Sequence, residues 1–352
     1  MEVGSGFVTL AHGSGGVESF KLLEELLFSR VEDRFKRVEG GVGIDKLDDG
    51  AAIPLPDGRY LVVSIDAYTV NPPFFPGGNI GVLAAAGTIN DVLMMGAKPL
   101  AMLDSIVVEE GFPLRDLEAI IESLVETLRR EGVALVGGDF KVMPKGQVGG
   151  IVVTTAGIGV AERLIVDEPK PGDKLVVSGC VGDHGAVIAL LQSGLWGSVK
   201  ELSEGLLRSD VKPLTRLMLP LLEKYGWAIT AARDPTRGGL AGVLNEWASR
   251  SGTVIVVEES SIPVREPVKR YAEMLGIDPL YLASEGTAVL AVKPEAAEEV
   301  VEYMRGLGFE DARVFGEVRY SEKYRGFVLA RTSVGGHRII EPPSGELIPR
   351  IC

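Results

Sequence analysis

The sequence predicts an α/β (α+β) protein in two domains. Short β-branched runs alternate with amphipathic helical patterns along the whole chain, the signature of mixed α and β layers. Its 352 residues exceed what one hydrophobic core usually serves, at roughly 100 to 200 residues per domain. A charged, proline-bearing segment, Asp167 to Asp173 (DEPKPGD), lies between two strand signals and marks the boundary. We therefore expect domains at 1–166 and 167–331, followed by a tail over 332–352.

In the first half, Tyr60 to Ile65, Val133 to Val136 and Ile151 to Thr155 are apolar and β-branched and read as buried strands. Asn79 is suited to cap a helix that runs to about Met95 and is ended by Gly96 and Pro99. The apolar stretch Ile80 to Ala97 is marginal as a membrane span and contains Asn90 and Asp91, so a buried helix is expected. Leu117, Ile120, Ile121, Leu124 and Leu128 recur at helical spacing behind Pro113, which fits a first turn. The second half restarts the pattern with strand Lys174 to Ser178, helix Asp183 to Ser193, strand Val254 to Glu258 and helix Pro263 to Leu275. Strand Thr287 to Lys293 and helix Glu295 to Leu307 complete it. From Thr332 the composition turns to Gly, Pro and charge and reads as an extended tail.

Composition narrows the function. An apolar fraction of 46% with 24% charged residues excludes disorder, collagen and coiled coil as the main content. With 49 acidic against 36 basic residues, the net charge of −13 argues against nucleic-acid and anionic-membrane partners. No basic segment followed by an apolar run opens the chain, so a cytoplasmic protein is expected. Cys180 and Cys352 alone cannot form a disulfide framework or a cysteine-rich zinc site. His12, His184 and His337 show no metal-ligand spacing.

Carboxylates carry the strongest chemical signal. Asp48 and Asp49 (KLDDGAAI), Asp66 (after YLVVSI), Asp91 (TINDVLMMG) and Asp139 (LVGGDFKV) stand among small residues at strand or helix ends. Hard oxygen ligands converging there suit Mg2+ bridged to phosphate, although any one of them alone reads as a turn or cap. The run HGSGG at His12 to Gly16 precedes a helical pattern and can bring backbone N–H groups to phosphate; otherwise it is a turn. In ARDPTRGG, Arg233, Asp234 and Arg237 suit an oxyanion or a salt-bridged helix entry. Glu285 precedes an otherwise apolar strand, where its pKa would rise and let it act as a general base, or where it would cap the strand. Cys180, within SGCVGDHG, reads as a small buried residue, whereas Cys352 ends the tail with a thiol that can be delivered elsewhere, or is an accidental unpaired thiol.

Together HGSGG, PGGNIGVLAAAGTINDVLMMGAKP, GGDFKVMPKG, SGCVGDHG, ARDPTRGG, SEGTAVLAV and the closing PRIC resemble the HypE carbamoyl dehydratases. These are hydrogenase maturation factors of the aminoimidazole ribonucleotide synthetase, or PurM-like, superfamily. PRIC is the discriminating piece; Phe140 departs from the Thr common in the family at that position. The resemblance implies a PurM-like homodimer with an amino-terminal sheet domain as its core, and ATP and Mg2+ as cofactors. It further implies that HypF carbamoylates the terminal thiolate, that ATP drives dehydration of the S-carboxamide to a thiocyanate, and that a HypC–HypD complex takes the cyanide for the iron centre. Matched to the motifs, Cys352 carries the substrate, Glu285 accepts protons and Lys141 is the electrostatic partner. ATP would meet His12, Gly13, Gly15, Gly16, Asp66, Asn90, Asp91, Gly137, Gly138, Asp139, Asp234 and Arg237, and Mg2+ would meet Asp48, Asp66, Asp91 and Asp139. The competing readings are a sister ATP-dependent synthetase or kinase acting on a small molecule, and a non-catalytic scaffold ordered by ATP.

Overall fold

A computed structural model describes residues 6–195, 207–332 and 335–345. Strands β1 (Ala51–Pro54), β2 (Tyr60–Tyr68), β5 (Lys98–Glu109), β6 (Ala134–Met143) and β7 (Ile151–Ala161) form one sheet, ordered β1-β2-β7-β5-β6. Neighbours in it are antiparallel except β5 and β6. A short hairpin, β3 (Phe74–Phe75) and β4 (Gly78–Asn79), leads into the helix Ile80–Met94. Asn79 caps that helix as expected, its side chain accepting from Gly81 N and Val82 N at 2.9 and 3.2 Å. The helix is buried on every side, between the sheet and the helix Leu114–Glu131. Its apolar character is that of a core element, and no described helix is long and apolar enough to cross a membrane.

The second half builds a sheet from β8 (Lys174–Val177), β9 (Ile229–Arg233), β10 (Val254–Glu258), β11 (Val289–Val292), β12 (Arg313–Arg319), β13 (Val328–Arg331) and β14 (His337–Ile340). Its order is β14-β13-β10-β12-β8-β11-β9. Helices Asp183–Gln192, Thr215–Tyr225, Gly239–Ser251, Glu266–Leu275 and Ala297–Gly306 complete this half. One apolar cluster runs from Tyr68, Ile89 and Leu93 into Val176, Leu217 and Met218, so the two halves share a core.

Several elements differ from the sequence reading. β5, β9, β12, β13 and the helix Thr215–Tyr225 were not foreseen. Pro99 and Asp104 disguise β5, and Pro220 disguises the helix. The extended tail starts later than composition implies: β14 pairs with β13 and buries Ile340 completely. Asn245 Nδ2 donates to the carbonyls of Ile340 and Glu341 at 3.1 and 3.2 Å, and Val17 N donates to Pro343 O at 3.1 Å. Cys180 is half-buried rather than buried. Its thiol lies 3.4 Å from Asp311 Oδ2, and burial together with that carboxylate pushes its pKa up to about 11.

His184 is wholly enclosed, with Nδ1 2.7 Å from Ser209 Oγ and its ring edge-on to Phe75 at 5.1 Å. Burial pushes its pKa down to about 3, so the folded protein keeps the ring neutral where the unfolded chain protonates it. Its stabilising contribution is therefore complete above about pH 6.5 and is lost as pH falls toward 3, amounting to about 2 kcal/mol by pH 5. Urea unfolding at pH 7 and pH 5 should show this acid loss in the wild type and not in His184→Gln. Equal losses in both proteins would refute it.

Candidate active site

Three carboxylates meet between the two halves, and two more, Asp66 and Glu285, act on them electrostatically. Asp49 comes from the loop before β1, Asp66 from β2, Asp91 from the helix Ile80–Met94, Asp234 from just beyond β9 and Glu285 from the turn before β11. Carboxylate oxygens of Asp49, Asp91 and Asp234 lie within 4.8 Å of one another. Ser64 Oγ donates to Asp91 Oδ2 at 2.6 Å, whereas Asp49 Oδ2, Asp234 Oδ2 and Glu285 Oε1 are buried with no hydrogen-bond partner. Such orphaned acceptors fit a cation that would bridge them.

Electrostatics agree with the geometry. Burial, then Asp66 and Asp234, lift the Asp91 carboxyl well above the usual range. Asp234 is raised to about 7 by burial and by Asp66. Burial lifts Asp66 as well, with Arg237 pulling against it. Glu285 is raised well above 4.5 by burial and then by Asp234 and Asp210. Mutual repulsion of this kind marks a functional site more often than a structural one.

Arg233 fixes the cluster's edge. Its guanidinium donates to Asp167 Oδ2 at 2.5 Å and to Leu47 O at 2.7 Å, and pairs with Asp49 Oδ1 at 3.0 Å. The loop that carries Asp49 is held to β9 by this one side chain, and Arg250 adds bonds to the carbonyls of Lys46 and Leu47. Of the two readings of ARDPTRGG, Arg233 follows the salt-bridged one.

Of the four expected metal ligands, Asp48, Asp66, Asp91 and Asp139, only Asp91 belongs to the trio of Asp49, Asp91 and Asp234. Asp48 Oδ1 accepts from Asp49 N at 2.9 Å and its Oδ2 from Asp167 N at 3.0 Å, so it ties the loop down while Asp49 points at the cluster. The bonds from Asp49 N and Asp167 N occupy both oxygens of Asp48, whereas Asp49 Oδ2 is left without a partner. Asp139 is exposed on β6 and bonded through both oxygens to Lys141 Nζ at 2.7 Å. In register, Asp66 faces Thr155, Thr155 faces Asp104 and Asp104 faces Gly138. Asp139 and Lys141 thus lie about 14 Å across the sheet from β2, three strand spacings away. Asp66 stays beside the cluster through its coupling to Asp91, Asp234 and Glu285.

Among the expected ATP contacts, Asn90 is consumed internally. Its Nδ2 donates to Lys212 O at 3.2 Å and its Oδ1 accepts from Leu214 N at 2.8 Å. Gly15, at φ +77°, lies against Arg237, where a Cβ would come within 3.1 Å of the arginine Cβ. Gly13 has open space around it, and His12 Nδ1 accepts from Thr9 N at 2.9 Å on the surface. Gly137 and Gly138 lie in β6, where a Cβ on Gly138 would overlap the Asp104 carboxylate. Cys352 lies outside the described residues.

The two sheets with a buried acidic cluster between them define an AIR synthase related protein. The N-terminal domain of that description matches residues 47–161 and the C-terminal domain residues 170–328. The carbamoyl dehydratase HypE of Azotobacter vinelandii is 41% identical over 356 residues, covering 100% of this chain and 99% of the relative. A solved HypE in complex with ATP superposes with a TM-score of 0.78 at 37% identity, covering 98% of this chain and 100% of that one. A HypE–HypF complex gives a TM-score of 0.79 at 38% identity, over 91% and 99%. The chain belongs to the HypE carbamoyl dehydratase family.

Proposed function

We propose that the protein binds ATP in the cleft between its halves and uses it to dehydrate the S-carboxamide carried on Cys352, giving a thiocyanate, ADP and phosphate. The observation that carries this reading is the buried carboxylate cluster, with its unpartnered oxygens, in a chain of the HypE family. The carboxamide oxygen attacks the γ-phosphorus, which turns a very poor leaving group into phosphate. Removal of the two nitrogen protons and departure of that phosphate then form the C≡N bond. Glu285, buried and raised in pKa, is the proton acceptor. Arg237, beside Asp66 and Gly15, faces the phosphates. Asp49, Asp91 and Asp234 would hold Mg2+, which supplies positive charge to the nucleotide's phosphates.

Lys141 reaches the reaction in this reading from a second copy. β6 leaves Leu135, Val136, Phe140 and Val142 at 43–59% exposure along a sheet edge, and Ile65 on β2 is 69% exposed, which supports a homodimer built on this sheet. HypF is the partner that loads the thiol, and HypC–HypD receives the cyanide; the solved HypE–HypF complex supports the first of these.

Intact-protein mass spectrometry after carbamoylation by HypF tests the whole. Loss of one water from the carbamoylated protein, only with Mg-ATP and not with Cys352→Ala, is the expected result. ATP hydrolysis without uptake of a carbamoyl group would instead place the protein among the small-molecule synthetases and kinases.

A further inference from the structure

The chain from Leu207 to Leu214 is a strap between the two halves, and it bonds to both the N–H and the carbonyl of Glu285. On the N-terminal half, Ser209 N donates to Pro76 O at 2.8 Å and Leu214 N to Asn90 Oδ1 at 2.8 Å. On the other half, Asp210 Oδ1 accepts from Glu285 N at 3.1 Å, and its Oδ2 accepts from Gly286 N at 3.1 Å and Thr287 Oγ1 at 3.4 Å. Lys212 N donates to Glu285 O at 3.3 Å, the same carbonyl that Asn90 Nδ2 approaches at 3.5 Å. Contact is close enough that a Cβ on Gly286 would lie 2.0 Å from Asp210 O, so only glycine fits behind Glu285.

We infer that Asp210 is a positioning residue for Glu285: its carboxylate grips the Glu285–Thr287 turn and fixes where the proton acceptor stands relative to the cleft. The inference rests on the assignment of Glu285 as that acceptor. The backbone here has no regular partner strand, since β11 begins only at Val289. Two charge-assisted bonds to successive N–H groups take the place of a ladder. Asn90 joins the same strap from the helix that carries Asp91, so the acceptor and the acidic cluster share one frame. Displacing a reacting group by about 1 Å costs on the order of 100-fold in rate while leaving ground-state binding largely intact.

The test compares wild type, Asp210→Asn and Glu285→Gln in the full-length, carbamoylated protein. Single-turnover dehydration is followed by mass spectrometry, ATP affinity by calorimetry and stability by thermal melting. Asp210→Asn is expected to lose about 10- to 100-fold in the dehydration rate with an ATP Kd within about threefold of wild type. Should that variant resist purification, Asp210→Glu, which keeps the charge but moves the carboxylate, is expected to show the same split. A rate within twofold of wild type, or a rate, affinity and melting temperature that fall together, would overturn the positioning role. If Glu285→Gln is inactive while Asp210→Asn is unimpaired, only this inference fails. If Glu285→Gln turns over fully, the acceptor assignment fails and takes the inference with it.

Discussion

Glu285→Gln should lower ATP-dependent dehydration by about 10²- to 10⁴-fold while nucleotide binding persists. The side chain is 1% exposed, one of its oxygens has no partner, and burial with Asp234 and Asp210 holds its pKa well above 4.5. A carboxylate so placed is a stronger base than a solvated one, closer to the operating pH where proton transfer is most efficient. Glutamine keeps the shape and leaves the backbone grip of Asp210 untouched, but its amide cannot take the proton. Removing a buried acidic group from among four others should also leave the protein at least as stable. Single-turnover mass spectrometry on the carbamoylated variant checks the rate, and full turnover would move the proton acceptor elsewhere.

Asp91→Asn should act in opposite directions on stability and on binding. In the free protein, Asp91 is crowded by Asp66 and Asp234 in a buried site, and that repulsion is a cost of the fold. A neutral amide that still accepts from Ser64 Oγ relieves it, so a rise in melting temperature of a few degrees is expected, corresponding to about 1 kcal/mol. With one of three clustered ligands gone, Mg2+-dependent ATP affinity should fall about 100-fold, or about 3 kcal/mol. Calorimetry with ATP, with and without Mg2+, reads the second effect. Unchanged metal-dependent affinity would remove Asp91 from the site.

How much of this was legible in the sequence depends on whether a signal is local. Asn79, Gly96 and the all-apolar face between them mark their helix to within a residue, because capping and burial are written in neighbouring residues. Strand β10 is legible for the same reason, as a short β-branched run. Of the acidic residues grouped in the sequence as metal ligands, Asp48, Asp66, Asp91 and Asp139, only Asp91 joins the trio, with Asp49 and with Asp234, which the sequence offered separately. Choosing Asp49 over Asp48 needed the orientation of this loop, which the bonds to Asp167 N and Arg233 settle. Placing Asp139 with the others needed strand order, since nothing in GGDFKV tells that β6 is the far edge of the sheet. Asp210 carried no signal: SDVKP reads as a loop, and its partners lie about 75 residues further on.

The anchoring of β14 has a kinetic consequence. Asn245, Tyr281 and Val17 hold the backbone of Ile340, Glu341 and Pro343, which stand only nine to twelve positions before Cys352 in the sequence. A reactant covalently joined to the enzyme that transforms it acts at an effective concentration of about millimolar order, whatever the amount of protein in solution. Under the proposed reaction, the enzyme then has no Michaelis constant for its carbamoyl substrate. Dilution leaves the rate per molecule unchanged, and only ATP can show saturation.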